Sequence, residues 1–171
     1  MTFTNNQIDT ESLPKFEQVH FNRINKRYLV VILFNLAIAA LFLAAVIFFL
    51  YVKVDDFEKF GFYMILCTAL LYALVVFFSI LGFFKRGYAF REHDVVYKNS
   101  VLATSTMVIP YNRVQHVALH EGPVARLFGY TRIKIYTAGA GSGDLGISGI
   151  PKDEAQNIKQ LLMGKIQKTL D

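Results

Sequence analysis

Two long stretches without a single charge dominate this chain and limit what it can become. The first runs from Tyr28 to Val52 and the second from Gly61 to Phe84. At about 1.5 Å rise per residue, each reaches roughly 36 Å as a helix. The hydrocarbon layer of a bilayer is about 30 Å thick, so each run can cross with some tilt. A buried helix of a soluble protein is the alternative, and two such runs in succession argue against it. Within lipid every backbone polar group must be paired inside its own segment, so both runs are predicted to be helices.

The intervening stretch, Lys53–Phe60, reads KVDDFEKF and is too short to hold structure of its own. The two helices therefore form an antiparallel hairpin. Arg23, Lys26 and Arg27 precede the first run, and Lys85, Arg86 and Arg91 follow the second. The linker offers only Lys53 and Lys59, beside Asp55, Asp56 and Glu58. Positive residues stay on the cytoplasmic side, which places both termini in the cytoplasm of a multi-pass inner-membrane protein. Ala40/Ala44 and Ala69/Ala73 are small-residue pairs at the spacing that lets spanning helices approach. Asn35, the most polar residue of either run, is a candidate bond across the hairpin or to another copy. Neither run contains Asp, Glu, Lys, Arg or His, the groups that ion paths and proton relays use. The hairpin reads as an anchor.

Removing residues 28–84 leaves an N-terminal segment, 1–27, and a C-terminal one, 85–171. Only the second is long enough for its own core. The chain carries a formal net charge of +5. Residues 85–171 hold twelve Lys and Arg against seven Asp and Glu, so the excess lies there. A basic domain tethered beside an anionic leaflet follows. The lone cysteine, Cys67, lies inside the second run, which excludes an intramolecular disulfide. Residues 12–27 show no clean period and have two possible placements, at the membrane surface or on the C-terminal domain.

From Gly87 onward the chain becomes a series of short Val-, Ile-, Thr-, Tyr- and Phe-rich segments with polar or glycine punctuation. Strands are predicted at 88–92, 95–97, 101–109, 113–120, 131–137 and 144–150. Turns are expected at His93-Asp94 and at Lys98-Asn99-Ser100, and a short helical bend at 124–130. Pro151 opens a helix with Asp153 and Glu154 in its first turn. Its apolar stripe is Ala155, Ile158, Leu162 and Ile166, widened by Leu161. Such a stripe must cover an open end or seam of the sheet.

The run Ile109-Pro110-Tyr111-Asn112-Arg113-Val114-Gln115-His116-Val117 resembles the signature of a bacterial pleckstrin-homology-like domain family. The likeness continues through Gly122-Pro123, Arg126-Leu127-Phe128-Gly129 and Thr137-Ala138-Gly139, and ends at Gly149-Ile150 and the helix bearing Ala155. Two spanning helices followed by one such domain are similar to the YdbS-like membrane proteins. The resemblance implies a PH-like fold: a bent antiparallel sheet or split barrel of six to seven strands, capped by the C-terminal helix. It supplies no catalytic residue and implies a membrane-associated binding or scaffolding module. The Gly139–Gly143 loop is longer than the family pattern.

Arg113, Gln115 and Arg126 of the signature have two readings, loop-pinning and a ligand-facing surface, of which the first is favoured. Arg132, Lys134 and Tyr136 alternate with Ile133 and Ile135 and form the best exposed basic-aromatic row. A solvated strand face is the favoured reading of this row; as a contact surface its targets would be anionic lipid headgroups. Nucleic acid calls for a denser basic patch and is not expected. His116 and His120 lie about 13 Å apart on a strand, too far for one zinc ion with ligands at about 2 Å. The glycines at 139, 141 and 143 precede a strand rather than a helix, unlike a phosphate loop. No catalytic constellation, metal site or cofactor is expected. The lipid bilayer itself is one partner. A membrane protein or a second copy, docked on a sheet edge or beside the C-terminal helix, is the leading expectation for the other, with anionic lipid as the alternative.

Overall fold

The computed structural model describes residues 19–55, 57–101, 103–138 and 143–170. The apolar runs form α1 (Tyr28–Lys53) and α2 (Phe57–Lys85), both long and apolar enough to cross a membrane. The linker is shorter than the sequence implied. Residues Phe57–Phe60 are already helical, because Phe57 packs edge-to-face on Tyr51 at 5.7 Å and is buried. Large apolar side chains such as Leu41, Phe42, Phe62 and Leu70 point outward from the pair.

The seam between α1 and α2 does not use the alanine pairs. Ala44, Ala69 and Ala73 are exposed; only Ala40 faces the partner, with Leu36, Leu43 and Ile47. On α2 the half-buried positions include Met64, Thr68, Tyr72, Val76 and Ser79, which recur every three to four residues. Asn35 donates back to the Val31 carbonyl of its own helix at 2.9 Å. The bond across the hairpin comes from Tyr72, whose hydroxyl donates to the Leu36 carbonyl at 2.6 Å.

Seven strands follow the pattern of a bent, open PH-like domain. The first sheet runs β1 (Asn22–Arg23), β2 (Gly87–Phe90), β3 (Asp94–Ser100), β4 (Thr104–Pro110) in that order. The second contains β5 (Val114–His120), β6 (Tyr130–Thr137) and β7 (Leu145–Pro151). All pairings are antiparallel, and no closed barrel forms. Residues 22–23, left open by sequence, supply the edge strand beside β2; residues 12–18 lie outside the described part. The expected turn at Lys98-Asn99-Ser100 is strand instead, since β3 pairs through Ser100 with Thr104. Pro110 ends β4, where its missing N–H costs no ladder bond.

Alternation on β6 sends Ile133 and Ile135 inward, where they meet Val95, Ile109, Ile147 and Ile150. Each fully buried Ile or Leu contributes about 1.5–3 kcal/mol. Helix α4 (Lys152–Leu170) closes the open side with Ala155, Ile158, Leu162 and Ile166. Leu161 does not join that stripe: it is half exposed, turned away one helical step from Leu162. A short helix, α3 (Pro123–Leu127), bridges β5 and β6.

The domain has two distinct ends. At the root end, α2 runs directly into β2, and Tyr28 at the start of α1 packs on Tyr130 at the start of β6, ring centroids 5.4 Å apart. Gly149 makes room for this junction. It has φ +83°, and a Cβ there would stand 2.6 Å from the Tyr28 ring and 2.5 Å from Ile24. At the distal end lie the β2–β3 turn, the β4–β5 connection and the C-terminal half of α4.

Candidate membrane-facing binding site

The register of the first sheet builds a basic cleft at the root end. Gly87 pairs with Arg23 on one side and with Lys98 on the other. Residues in one cross-strand row share a face. Two cations therefore stand two strand spacings apart, about 10 Å, with a glycine between them that has no side chain. Lys85 and Arg86, at the end of α2, join the same cleft, which encloses about 440 Å³. Phe21, Phe84, Ser100 and Thr104 complete the lining. The Lys98 ammonium lies 5.9 Å from the centre of the Phe21 ring, and Arg86 Nε donates to Asn99 Oδ1 at 3.4 Å.

Among the described residues no carboxylate lines this cleft. None of its four cations takes part in an ion pair among the described residues. Ser100 Oγ is buried and has no hydrogen-bond partner among them. Mutual repulsion of two charges at this spacing costs only about 0.4 kcal/mol in water. An anion about 4 Å from each cation gains about 1–4 kcal/mol per contact, depending on local dielectric. The arrangement is tolerable empty and favourable around a phosphate.

A second cleft of about 330 Å³ opens between α1, α3 and the outer face of the second sheet. Its polar lining is Tyr28, Asn35, His120, Thr131, Arg132 and Ser148. Arg132 lies across Gly146, where a Cβ would sit 2.6 Å from its Nε. Farther along the same face, Lys134 Nζ is 4.4 Å from the Tyr136 ring centre, and His116 stacks on that ring at 4.1 Å. The row Arg132, Lys134, Tyr136 therefore exists on one face, with Arg132 exposed and the other two half-buried.

The six residues singled out from sequence fall into three groups. Arg126 and Arg132 belong to the root end. Arg113 and Gln115 lie at the distal end, in a groove of about 590 Å³ with Tyr111, Asn112 and Ile166. Lys134 and Tyr136 extend along β6 between them. Arg113 holds its loop through its backbone carbonyl, which accepts the Ala138 N–H at 2.9 Å. Arg126 does the same for the Gly129 N–H at 3.2 Å, and its side chain is exposed. Gly129 itself has φ +73°. Residues 139–142 of the glycine-rich loop lie outside the described part.

Several polar groups at the distal end are paired with one another. Arg91 and Asp94 form a two-point ion pair. Tyr111 donates to the Arg91 carbonyl at 2.7 Å, and Lys165 to the Glu92 carbonyl at 3.1 Å. Burial raises the Tyr111 phenol above its ordinary range. Nearer the root end, burial also raises the Tyr97 phenol, and Tyr88, which donates to Glu154 at 3.1 Å, is pushed up to about 12, first by burial and then by that carboxylate.

The sequence profile of the bacterial PH domain family matches residues 28–166. The chain belongs to the bacterial PH domain family. The match begins at Tyr28 and so takes in the hairpin as well as the strands and α4, in accord with two apolar helices leading into one PH-like domain. No curated protein and no solved structure matches the chain. A PH-like domain attached to apolar helices makes a membrane-associated binding module.

The cleft cations were visible in the sequence under another heading. Arg23, Lys85 and Arg86 stood out only as orientation signals, and Lys98 was assigned to a turn. The pairing of Gly87 with both Arg23 and Lys98, a long-range register, is what joins them.

Proposed function

We propose that this chain is a two-span membrane protein, termini in the cytoplasm, whose PH-like domain holds anionic phospholipid headgroups in the root-end cleft. The functional unit on this reading is residues 85–171 together with the β1 segment and the first turns of α1. One observation carries it: four cations, Arg23, Lys85, Arg86 and Lys98, surround a glycine floor beside the end of α2 with no carboxylate among the described lining residues. That end of α2 lies at headgroup depth if the hairpin spans. Anionic lipid concentrates at a cytoplasmic leaflet, where each nearby Lys or Arg contributes about 1 kcal/mol of attraction. Arg132 and Lys134 extend the positive surface. Recognition requires no chemistry on the lipid, so the chain acts as a binding module and not as an enzyme.

Protein docking, the leading expectation from sequence, keeps one specific support. The distal groove by Ile166 presents Arg113 and Gln115 beside the C-terminal helix. Its occupant would be a membrane-protein partner or a second copy.

Native mass spectrometry of the full-length protein released from mixed-lipid nanodiscs tests the main reading. One phosphatidylglycerol per chain, retained over phosphatidylcholine and lost in Arg86→Gln/Lys98→Gln, is expected. Equal retention of both lipids would rule it out. A C-terminal reporter active only outside the cell should stay dark.

A further inference from the structure

The β5–β6 connection exposes two large apolar side chains that are adjacent in sequence. Leu127 is 80% exposed and Phe128 is 42% exposed. The segment from Gly122 to Thr131 contains no acidic residue. The nearest carboxylate, Glu121, is engaged by Lys152 at 3.1 Å. The position of α3 is fixed from both sides. Phe128 packs edge-to-face on Phe34 of α1, centroids 6.0 Å apart, and Gly129 accepts the Lys152 N–H at 3.1 Å.

The length of α1 says at what depth this contact lies. Its 26 residues reach about 39 Å, some 9 Å more than the hydrocarbon layer needs. The far end carries Lys53 and stays outside that layer. At the root end, Val31 is buried against the protein, with 1% exposure, and is not available to lipid. Counting about 20 residues back from Val52 reaches Leu33, next to Phe34, the residue that Phe128 touches. The acyl boundary and the tip of α3 coincide.

We infer that Leu127 and Phe128 form a wedge that inserts into the acyl boundary of the leaflet at the hairpin's root. This rests on the spanning reading above. The occupant of the exposed surface is the host bilayer itself, because the patch is continuous, through Phe34, with the outward apolar face of α1. Arg126, adjacent and exposed, reaches back to the headgroups. Insertion to about 5–10 Å is ordinary for interfacial apolar side chains. The wedge gives the domain a second attachment besides the chain connections, and so fixes which face it turns to the lipid.

The test uses full-length protein with Cys67→Ala, reconstituted in vesicles and spin-labelled at one new cysteine. The sites are Leu127→Cys, Leu41→Cys at mid-span and Gln160→Cys on α4; all three native side chains are exposed. Collision with oxygen and with a water-soluble nickel chelate reports depth. The wedge predicts that the label at 127 collides with the chelate at least fivefold less than the label at 160. Its oxygen collisions should match a shallow lipid position. If 127 behaves like 160 while 41 is deep, the wedge is wrong and the spanning reading stands. If 41 is in water, both fall. Protection of 127 from both reagents, with dipolar broadening between copies, would overturn the wedge in favour of self-association.

Discussion

The two ends of the PH-like domain treat charge in opposite ways. At the distal end Arg91 meets Asp94, Lys165 meets the Glu92 carbonyl, and the Tyr111 hydroxyl meets Arg91. At the root end Arg23, Lys85, Arg86 and Lys98 converge with no carboxylate among the described residues of the cleft they line. The carboxylates that do lie nearby are occupied, Glu121 by Lys152 and Glu154 by the Tyr88 hydroxyl. Polar groups that stabilise a fold are paired within it. Arg86 donates to Asn99 and Lys98 lies by the Phe21 ring, but none of the four cations has an ion-pair partner among the described residues. On the reading proposed above, the contrast separates the part that keeps the domain in shape from the part that meets the membrane.

The largest effect expected is on the core both ends share. Leu162→Ala should lower stability by about 2–5 kcal/mol, seen as a drop in the thermal midpoint of the detergent-solubilised chain. If it proves silent, α4 does not close the sheet. Next comes the junction itself. Gly149→Ala forces a side chain into φ +83°, a backbone cost of about 1–2 kcal/mol, and pushes against the Tyr28 ring. Proteolysis between α1 and the domain should quicken in that variant. At the distal end, Tyr111→Phe should cost about 0.5–1.5 kcal/mol by leaving the Arg91 carbonyl short of its donor. The root end should show the smallest change: Lys98→Gln is expected to alter stability by less than about 0.5 kcal/mol. A loss there as large as that of Tyr111→Phe would erase the distinction between the ends.

Alkaline pH sharpens the same comparison. The phenols of Tyr88, Tyr97 and Tyr111 are raised in the folded protein above the usual 10.0, and Tyr88 reaches about 12. The unfolded chain releases those protons first. Stability is therefore intact below pH 10 and falls as pH rises through the folded values. Thermal midpoints followed from pH 9 upward should decline over that window, and less steeply in Tyr88→Phe.

Much of this architecture was legible in order along the chain. Two uncharged runs gave the helices, alternation at Arg132–Tyr136 gave β6, and the stripe from Ala155 to Ile166 gave α4. What the sequence hid was relational. The seam of the hairpin was invisible because both helices are apolar all round, so nothing distinguished Tyr72 and Leu36 from their neighbours. Lys98-Asn99-Ser100 looked like a turn by composition, yet pairing with Thr104–Thr106 holds it in β3. Tertiary context overrode propensity there. Two residues before the hairpin joined a sheet whose next strand begins 64 positions later, at Gly87, and no local pattern marks such a partner. The site was hidden for the same reason: each cation had a local explanation, and only the register of β1, β2 and β3 brings them to one cleft.

Lipid selectivity measured on reconstituted full-length protein tests the central claim most directly. Spin-labelled phosphatidylglycerol is compared with phosphatidylcholine for three chains: the wild type, Arg86→Gln/Lys98→Gln at the root and Arg113→Gln/Lys165→Gln at the distal end. We predict a several-fold, salt-sensitive preference for phosphatidylglycerol that the root variant abolishes and the distal variant retains. No preference in the wild type, or equal loss in both variants, would contradict the account.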